Sequence, residues 1–397
     1  MADVLIGEKM TKPTQLSHNA AAERQYHDKR MVVADFNQAP FTIAWEVTRA
    51  CAYACVHCRA DAIPQRDPDE LTTKEAFNLI DQMTEFGSPI LIFTGGDPMM
   101  RPDLFEIITY ATEKGLRCSL TPTATALPTL DRLKQAKEAG IRRIALSLDA
   151  PGPKVHDEFR RVEGSWQRTM DILHRAQETG LSVQVNTTVT KFNVDLLPEM
   201  VPFIKEVGAV QWSVFFLVPT GRAQANYMIS AERHEEVFNW LYDLSKDAPF
   251  DIKATAAPMY RRVAIERKRA EVGKDEEVTF QGAGFQYDDG LNRPRKGVND
   301  GNGFLFISHI GEIQPSGFLP LTAGYVRKDD VVEVYRNHPI FTDLRDPSKL
   351  KGRCGICEYR DVCGGQRGRA YGLTGDYLET DPACVYTPAA IEDVGDQ

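Results

Sequence analysis

The sequence lacks any apolar run approaching the roughly 18–20 residues that a bilayer-spanning helix needs, so no membrane span is expected in its 397 residues. The stretch from Met1 to Gln38 is polar, mixed in charge and without the apolar core of a secretory leader, which implies a cytoplasmic location. A basic excess is missing as well. Lys and Arg number 47 against 56 Asp and Glu, a net charge of −9, and this argues against an extended nucleic-acid footprint. It leaves room for a local basic pocket that takes a small acidic substrate. Solenoid repeats and low-complexity segments are absent too. What remains, 42% hydrophobic and 26% charged residues, is the profile of a globular protein long enough for one large α/β domain and a smaller one.

Cysteine is scarce outside two places. Seven of the eight cysteines fall at 51–58 and 354–384, and in a cytosolic setting such clusters point to metal ligands or catalysis before disulfides. Cys118 stands alone in an apolar stretch and reads as packing.

The middle of the chain alternates strand-like and helix-like segments. Strands are expected at Phe41–Val47, Pro89–Phe93, Arg117–Leu120, Arg142–Leu148, Leu181–Val189 and Ala209–Val218. Helices are expected at Thr73–Phe86, Asp103–Lys114, Leu130–Ala139, Ser165–Glu178, Leu197–Val207 and Ala231–Lys246, with Thr72 or Thr73 as the first N-cap. Gly87, Gly115, Gly140, Gly180 and Gly208 sit where helices should end in a left-handed cap. Six such units imply a parallel sheet with right-handed crossovers, too few to close an eight-fold barrel. The expectation is therefore α/β: an open, partial (β/α)6 TIM-type barrel over residues 41–248. Chemistry belongs at the carboxyl ends of the strands, which here carry Arg49–Cys58, Thr94–Pro98, Pro122–Thr125, Ser147–Asp149, Asn186–Thr190 and Pro219–Arg222.

Around this core the reading places an N-terminal extension over 1–40 and a linker over 249–303. The linker holds a basic helical stretch, Tyr260–Arg269, and a Gly/Asn/Asp-rich loop, Gly282–Gly303. A small cysteine-rich domain is expected over 304–390. It opens with a hairpin, Phe304–Ser308 and Glu312–Gln314 around His309-Ile310-Gly311.

Cys51, Cys55 and Cys58 are spaced by four and three, so a tight loop can aim three thiolates at one centre. Three ligands on a four-iron cluster leave one iron open. Zinc is the bland alternative, but it takes four closed ligands, and His57 beside Cys58 would serve as the fourth only in a strained geometry. The C-x3-C-x2-C loop resembles the signature of the radical S-adenosylmethionine (SAM) superfamily. That resemblance implies a 4Fe–4S cluster that binds and reductively cleaves SAM to a 5′-deoxyadenosyl radical. His57 occupies the position, usually aromatic, that packs near the adenine. Gly95-Gly96-Asp97 is similar to the family's GGE motif for the SAM amino group, with Asp97 in place of Glu. Ser147-Leu148-Asp149 and His156–Arg160 resemble its SLD and HD-FR stretches. By that likeness Arg160 would clamp the SAM carboxylate, and Ser147 and Asn186 would hold the carboxylate or the ribose hydroxyls. Val218–Arg222 lies where relatives shape the adenine pocket.

Cys354-x2-Cys357-x5-Cys363-x20-Cys384 supplies four thiolates, with Gly355, Gly364 and Gly365 for tight turns. Alone this suits zinc or iron–sulfur equally. Beside a radical SAM core it resembles the SPASM extension, which implies an auxiliary 4Fe–4S cluster that accepts or relays electrons. Full SPASM domains carry two such clusters. Ser316 stands where a further cysteine often lies, so one auxiliary cluster is expected.

Ile43–Arg49, Pro89–Gly96 and Phe216–Arg222 resemble the tetrapyrrole-modifying, heme-biosynthesis branch of the family. The implied reaction is oxidative decarboxylation of iron-coproporphyrin propionates, with Arg261–Arg269 as a candidate propionate site and a flavodoxin or ferredoxin as electron donor. A SPASM-type ribosomal-peptide maturase is the alternative enzyme. An iron–sulfur electron carrier or regulator is the alternative outside catalysis, although such a carrier needs no SAM pocket.

Overall fold

The six strands form where the alternation of apolar runs and turn glycines places them. The computed structural model describes residues 35–272 and 297–392. β1 (Thr42–Glu46), α1 (Thr73–Thr84), β2 (Ile90–Thr94), α2 (Leu104–Glu113), β3 (Arg117–Leu120), α3 (Leu130–Glu138) and β4 (Arg143–Ser147) come first. Two helices follow, α4 (Pro153–Arg160) and α5 (Ser165–Glu178), then β5 (Ser182–Val189), α6 (Leu197–Glu206), β6 (Gln211–Phe216) and α7 (Ala231–Asp247). Local chemistry sets the boundaries. Thr72 and Glu75 close a capping box at the start of α1, whose Ala76, Leu79, Ile80 and Met83 repeat at helical spacing and are buried against the sheet. Each fully buried aliphatic side chain of that stripe contributes about 1.5–3 kcal/mol of transfer free energy. The five glycines expected after helices all have positive φ.

The sheet is larger than six strands. β7 (Asp251–Thr255) lies within the segment read as linker and pairs parallel with β6 from Gln211↔Asp251 to Phe215↔Thr255. The expectation of six units is corrected to seven consecutive parallel strands. A five-residue strand with Lys253 exposed carries little of the apolar run that marked the others. After α8 (Met259–Val272), β8 (Phe304–Ile307) returns to the opposite edge and pairs parallel with β1, Thr42↔Phe304 through Trp45↔Ile307. β9 (Glu312–Gln314) makes the expected hairpin with β8, and β10 (Gly324–Tyr325) pairs with β9. The order is β10-β9-β8-β1-β2-β3-β4-β5-β6-β7, an open sheet dominated by parallel pairing.

The segment after residue 303 is built into this sheet. Behind β9 come α9 (Val331–Asn337), α10 (Pro339–Arg345), α11 (Gly352–Ile356) and α12 (Arg367–Thr374). One apolar cluster runs from Ile43 and Leu79 to Tyr335, Phe341 and Ala383. Tyr335 Oη donates to the Phe36 carbonyl at 2.8 Å, and Arg336 Nε to Gln38 O at 3.0 Å. Most of the expected extension over 1–40, and most of the loop at Gly282–Gly303, lie outside the described residues.

The basic stretch becomes α8, and its arginines are engaged within the chain. Arg262 pairs with Glu235 and with Glu266. Arg267 pairs with Asp243 at 2.5 Å. Arg261 donates to the carbonyls of Val362 at 2.9 Å and Val298 at 2.5 Å. The expectation that this stretch binds propionates is corrected: these guanidinium groups face neighbouring elements and the second group of cysteines.

Candidate active site

The first cysteine loop leaves the carboxyl end of β1 and is held from several sides. Cys51 N–H donates to Ile63 O at 2.8 Å. Arg222 donates to Cys55 O at 3.0 Å, Ala62 O at 2.9 Å and Asp61 Oδ1 at 3.1 Å. Arg49 grips Asp61 as well. The turn after β6 presses against the loop at Gly221, where φ is +60° and a Cβ would lie 2.3 Å from Arg59 O. Only glycine tolerates that backbone and that approach. Pro219–Arg222, expected near an adenine pocket, thus also clamps the cysteine loop.

Over the strand ends lies a cavity of about 220 Å³. Its wall includes Cys51, Cys55, Cys58, Gly95, Gly96 and Ser147, and also His57, Arg160 and Asn186. The structure therefore brings together residues drawn from four strand ends. Ser147 and Asn186 are register partners on β4 and β5, and Asn186 Oδ1 accepts from Gln184 Nε2 at 2.8 Å. Gly95 is required by closeness of chains, since a Cβ there would lie 2.3 Å from Thr48 O.

Asp97 is the exception. Its carboxylate is fully buried and accepts from Thr125 Oγ1 at 2.8 Å, Met99 N at 3.1 Å and Thr123 N at 3.3 Å. It is absent from the cavity wall. Asp97 fastens the β2 turn to the β3 turn, and burial pushes its pKa up against those hydrogen bonds.

Arg160 also finds a partner within the chain. Its Nε and Nη2 donate to Asp149 Oδ2 at 2.8 and 2.5 Å, and its Nη1 approaches Cys55 Sγ at 3.8 Å. Asp149 is held in turn by Thr188 N–H at 2.9 Å. The carboxylate clamp expected of Arg160 is, in this arrangement, an ion pair that reaches a cysteine sulfur. His57 stacks on Phe159 with ring centroids 4.0 Å apart and planes 8° apart. Burial, and then the nearby Arg160 charge, push its pKa down to about 3. It is neutral, and its buried Nδ1 has no partner among the described residues. Burial likewise lowers His156 to about 4, and its Nδ1 accepts from Asp149 N–H at 3.1 Å.

Four further residues at this site were not singled out by the sequence. Tyr53 takes a hydrogen bond from Arg168 at 2.8 Å and donates to Ala124 O. Thr123 Oγ1 donates to Gly96 O at 2.8 Å and lies 3.6 Å from Cys51 Sγ. Phe215 and Phe318 face each other across the cavity wall with ring centroids 6.4 Å apart. Tyr53 and Thr123 lie within the strand-end segments that the sequence marked, whereas Phe215 and Phe318 carried no signal of their own.

The second cysteine group lines one small cavity: Cys354, Cys357, Cys363 and Cys384 all contribute. Gly365 N–H donates to Cys363 Sγ at 3.4 Å, and Arg367 Nη2 to Cys354 Sγ at 3.6 Å. Burial raises the thiol of Cys363 to about 12 and that of Cys384 to about 11. Ser316 is buried, and its Oγ accepts from Phe318 N–H at 2.9 Å, closing a turn. Cys118 is buried in the apolar core, as its surroundings suggested.

All eight cysteines are unbridged. Among the described residues no three or more His, Cys, Asp or Glu side chains converge as ligands of a single metal ion. An iron–sulfur cluster, bound at separate corners by thiolates, does not ask for that convergence. The donor sets fit such clusters: three thiols on the strand-end cavity beside a His57 nitrogen with no partner among the described residues, and four thiols around a smaller, second cavity. Fold and site together define an α/β enzyme that works at the strand ends beside a cysteine triad.

Comparison with known proteins gives the family. Residues 45–204 match the radical SAM superfamily. The AdoMet-dependent heme synthase of Oleidesulfovibrio alaskensis is 44% identical over 348 residues, 87% of each chain. The AdoMet-dependent heme synthase of Methanosarcina barkeri is 40% identical over 350 residues, 88% of this chain and 97% of its own. The solved structure of Streptococcus suis SuiB bound to precursor peptide SuiA superposes with a TM-score of 0.66 at 16% identity, covering 97% of this chain and 84% of that one, a likeness of fold. The chain belongs to the radical SAM superfamily and is an enzyme. No helix among the described residues is long and apolar enough to cross a membrane.

Proposed function

We propose that the chain is a SAM-dependent heme synthase that converts propionate side chains of an iron-coproporphyrin to vinyl groups. The observation that carries this is the identity of 40–44% over nearly nine-tenths of the chain to proteins named AdoMet-dependent heme synthase. In this reading the sheet is a partial barrel and residues 304–390 form a SPASM-like extension. Cys51, Cys55 and Cys58 hold the cluster that engages SAM, and Cys354, Cys357, Cys363 and Cys384 hold one auxiliary 4Fe–4S cluster. Bound together, the first cluster and SAM supply a radical that removes a hydrogen atom from the substrate.

The chain's own residues provide the rest. Gly95 and Gly96 present backbone to the cofactor at the end of β2, and Ser147 and Asn186 offer a hydroxyl and an amide from adjacent strands. His57, neutral and stacked on Phe159, gives a flat face with one free nitrogen. Arg160 holds a positive charge beside Cys55. Phe215 and Phe318 line the cavity with aromatic surface suited to a flat macrocycle. For each propionate, loss of a hydrogen atom and of CO2 leaves a vinyl group and one surplus electron. In this reading an auxiliary cluster held by the four cysteines would accept it, and a flavodoxin or ferredoxin would serve as the external donor.

The test is direct. Reduced enzyme incubated with SAM and iron-coproporphyrin should yield a porphyrin lighter by CO2 and two hydrogen atoms per converted propionate, read by mass spectrometry. SAM cleavage with an unchanged porphyrin would contradict the assignment.

A further inference from the structure

We propose that Arg367 and Arg261 are built-in counter-charges of the four-cysteine site and raise its reduction potential so that it takes up the electron released by the substrate. This deepens the reading above and rests on it for the presence of a cluster there.

The case starts from two arginines on α12. Arg369 is fully buried and pairs with Asp381 at 2.9 Å, the ordinary way to bury a guanidinium. Arg367, two residues away in sequence, is 2% exposed. Its partners are the carbonyls of Gly365 at 3.2 Å, Tyr377 at 3.0 Å and Glu379 at 2.7 Å, and the sulfur of Cys354 at 3.6 Å. Among the described residues no carboxylate pairs with it within ion-pair distance, and Asp300 and Asp376 act on its charge only from farther off. Arg261 repeats the pattern from α8: it is partly buried, it donates to two carbonyls, and its first electrostatic neighbour is Cys363. A buried cation held mainly by carbonyls gains from a nearby anion. Arg367 reaches the Cys354 sulfur and the charge of Arg261 acts on Cys363, and these thiols become anionic when they bind a metal cluster.

The consequence is redox tuning. Taking up an electron makes a thiolate-bound cluster more negative. A positive charge and a hydrogen bond to a ligating sulfur favour that state, the more so where the surroundings are of low dielectric. Arg262 is also close, but Glu235 and Glu266 already offset its charge, so it contributes less.

The experiment is a redox titration of the reconstituted full chain, followed by electron paramagnetic resonance, with the cluster at Cys51, Cys55 and Cys58 as internal reference. Arg367→Gln and Arg261→Gln should each move the auxiliary cluster to lower potential. The expected size for Arg367→Gln is at least about tenfold in the reduction equilibrium, or about 59 mV for one electron. The reference cluster should not move, and Arg367→Lys should stay near the wild type. An unchanged auxiliary potential in both glutamine variants would overturn the proposal. So would an equal shift in Arg367→Lys, since that would make the effect one of packing. If Arg367→Gln does not fold, Arg261→Gln decides on the same criteria. Four irons per wild-type chain instead of eight would overturn the underlying reading, and the proposal with it.

Discussion

Cys55 is the residue on which the division of labour turns. It belongs to the triad on the strand-end cavity, whereas Cys357 belongs to the separate four-thiol site. Cys55→Ala is expected to abolish formation of 5′-deoxyadenosine from SAM. Cys357→Ala is expected to retain cleavage while losing porphyrin product. Both are read by chromatography of the same reactions, and equal cleavage by the two variants would contradict the assignment. A second residue-scale prediction concerns His309. Burial alone would lower its pKa, but hydrogen bonds and charge from Glu46 and Asp67 outweigh burial and raise it. The folded chain therefore holds that proton more tightly than the unfolded one. The resulting stabilisation is complete below the unfolded histidine value of about 6.5 and is lost as pH rises through the higher folded value. Denaturant midpoints of the wild type should fall across that window, and those of His309→Gln should fall less. An identical pH profile for the two would show that the pair contributes nothing. The link matters to the site because Glu46 also anchors Arg59, in the cavity wall, at 2.7 Å.

At the scale of elements, the strands and most helices from residue 42 to 247 were legible because each is an apolar run or an amphipathic stretch bounded by a cap or a turn glycine. The cysteine triad was legible because its three cysteines are neighbours in sequence. β7 was not, because five residues with an exposed Lys253 leave no periodic trace. α4 was missed because an eight-residue helix opening on Gly152-Pro153 reads as a turn. β8 was recognised as a strand, but its partner was hidden. Parallel pairing with β1 joins Thr42 to Phe304, and contacts so distant in sequence leave no local pattern. The inward turn of the Asp97 carboxylate and the Asp149 partner of Arg160 are likewise set by neighbouring loops. The β8–β1 pairing carries its own prediction. A chain ending at Gly303 would expose the edge of β1 and the apolar surface beneath Tyr335 and Phe341. It should be recovered mostly as aggregate, without a cooperative thermal transition. A soluble fragment that unfolds cooperatively would show that the sheet is complete without β8.

For the whole molecule, one continuous sheet and one apolar cluster tie the strand ends around the cysteine triad to the second cysteine group. Arg369 makes the tie explicit. It pairs with Asp381 beside Cys384 and donates to the carbonyls of Leu217, in the cavity wall, at 3.3 Å and Ala256 at 2.6 Å. A rigid connection of this kind suits a reaction that takes a hydrogen atom at one site and delivers an electron to another. The central claim is that the hydrogen comes from a porphyrin propionate. Iron-coproporphyrin deuterated at the propionate carbon next to the ring is the substrate that tests it. The account predicts deuterium in 5′-deoxyadenosine, one atom for each vinyl group formed. Unlabelled 5′-deoxyadenosine alongside an intact porphyrin would contradict it.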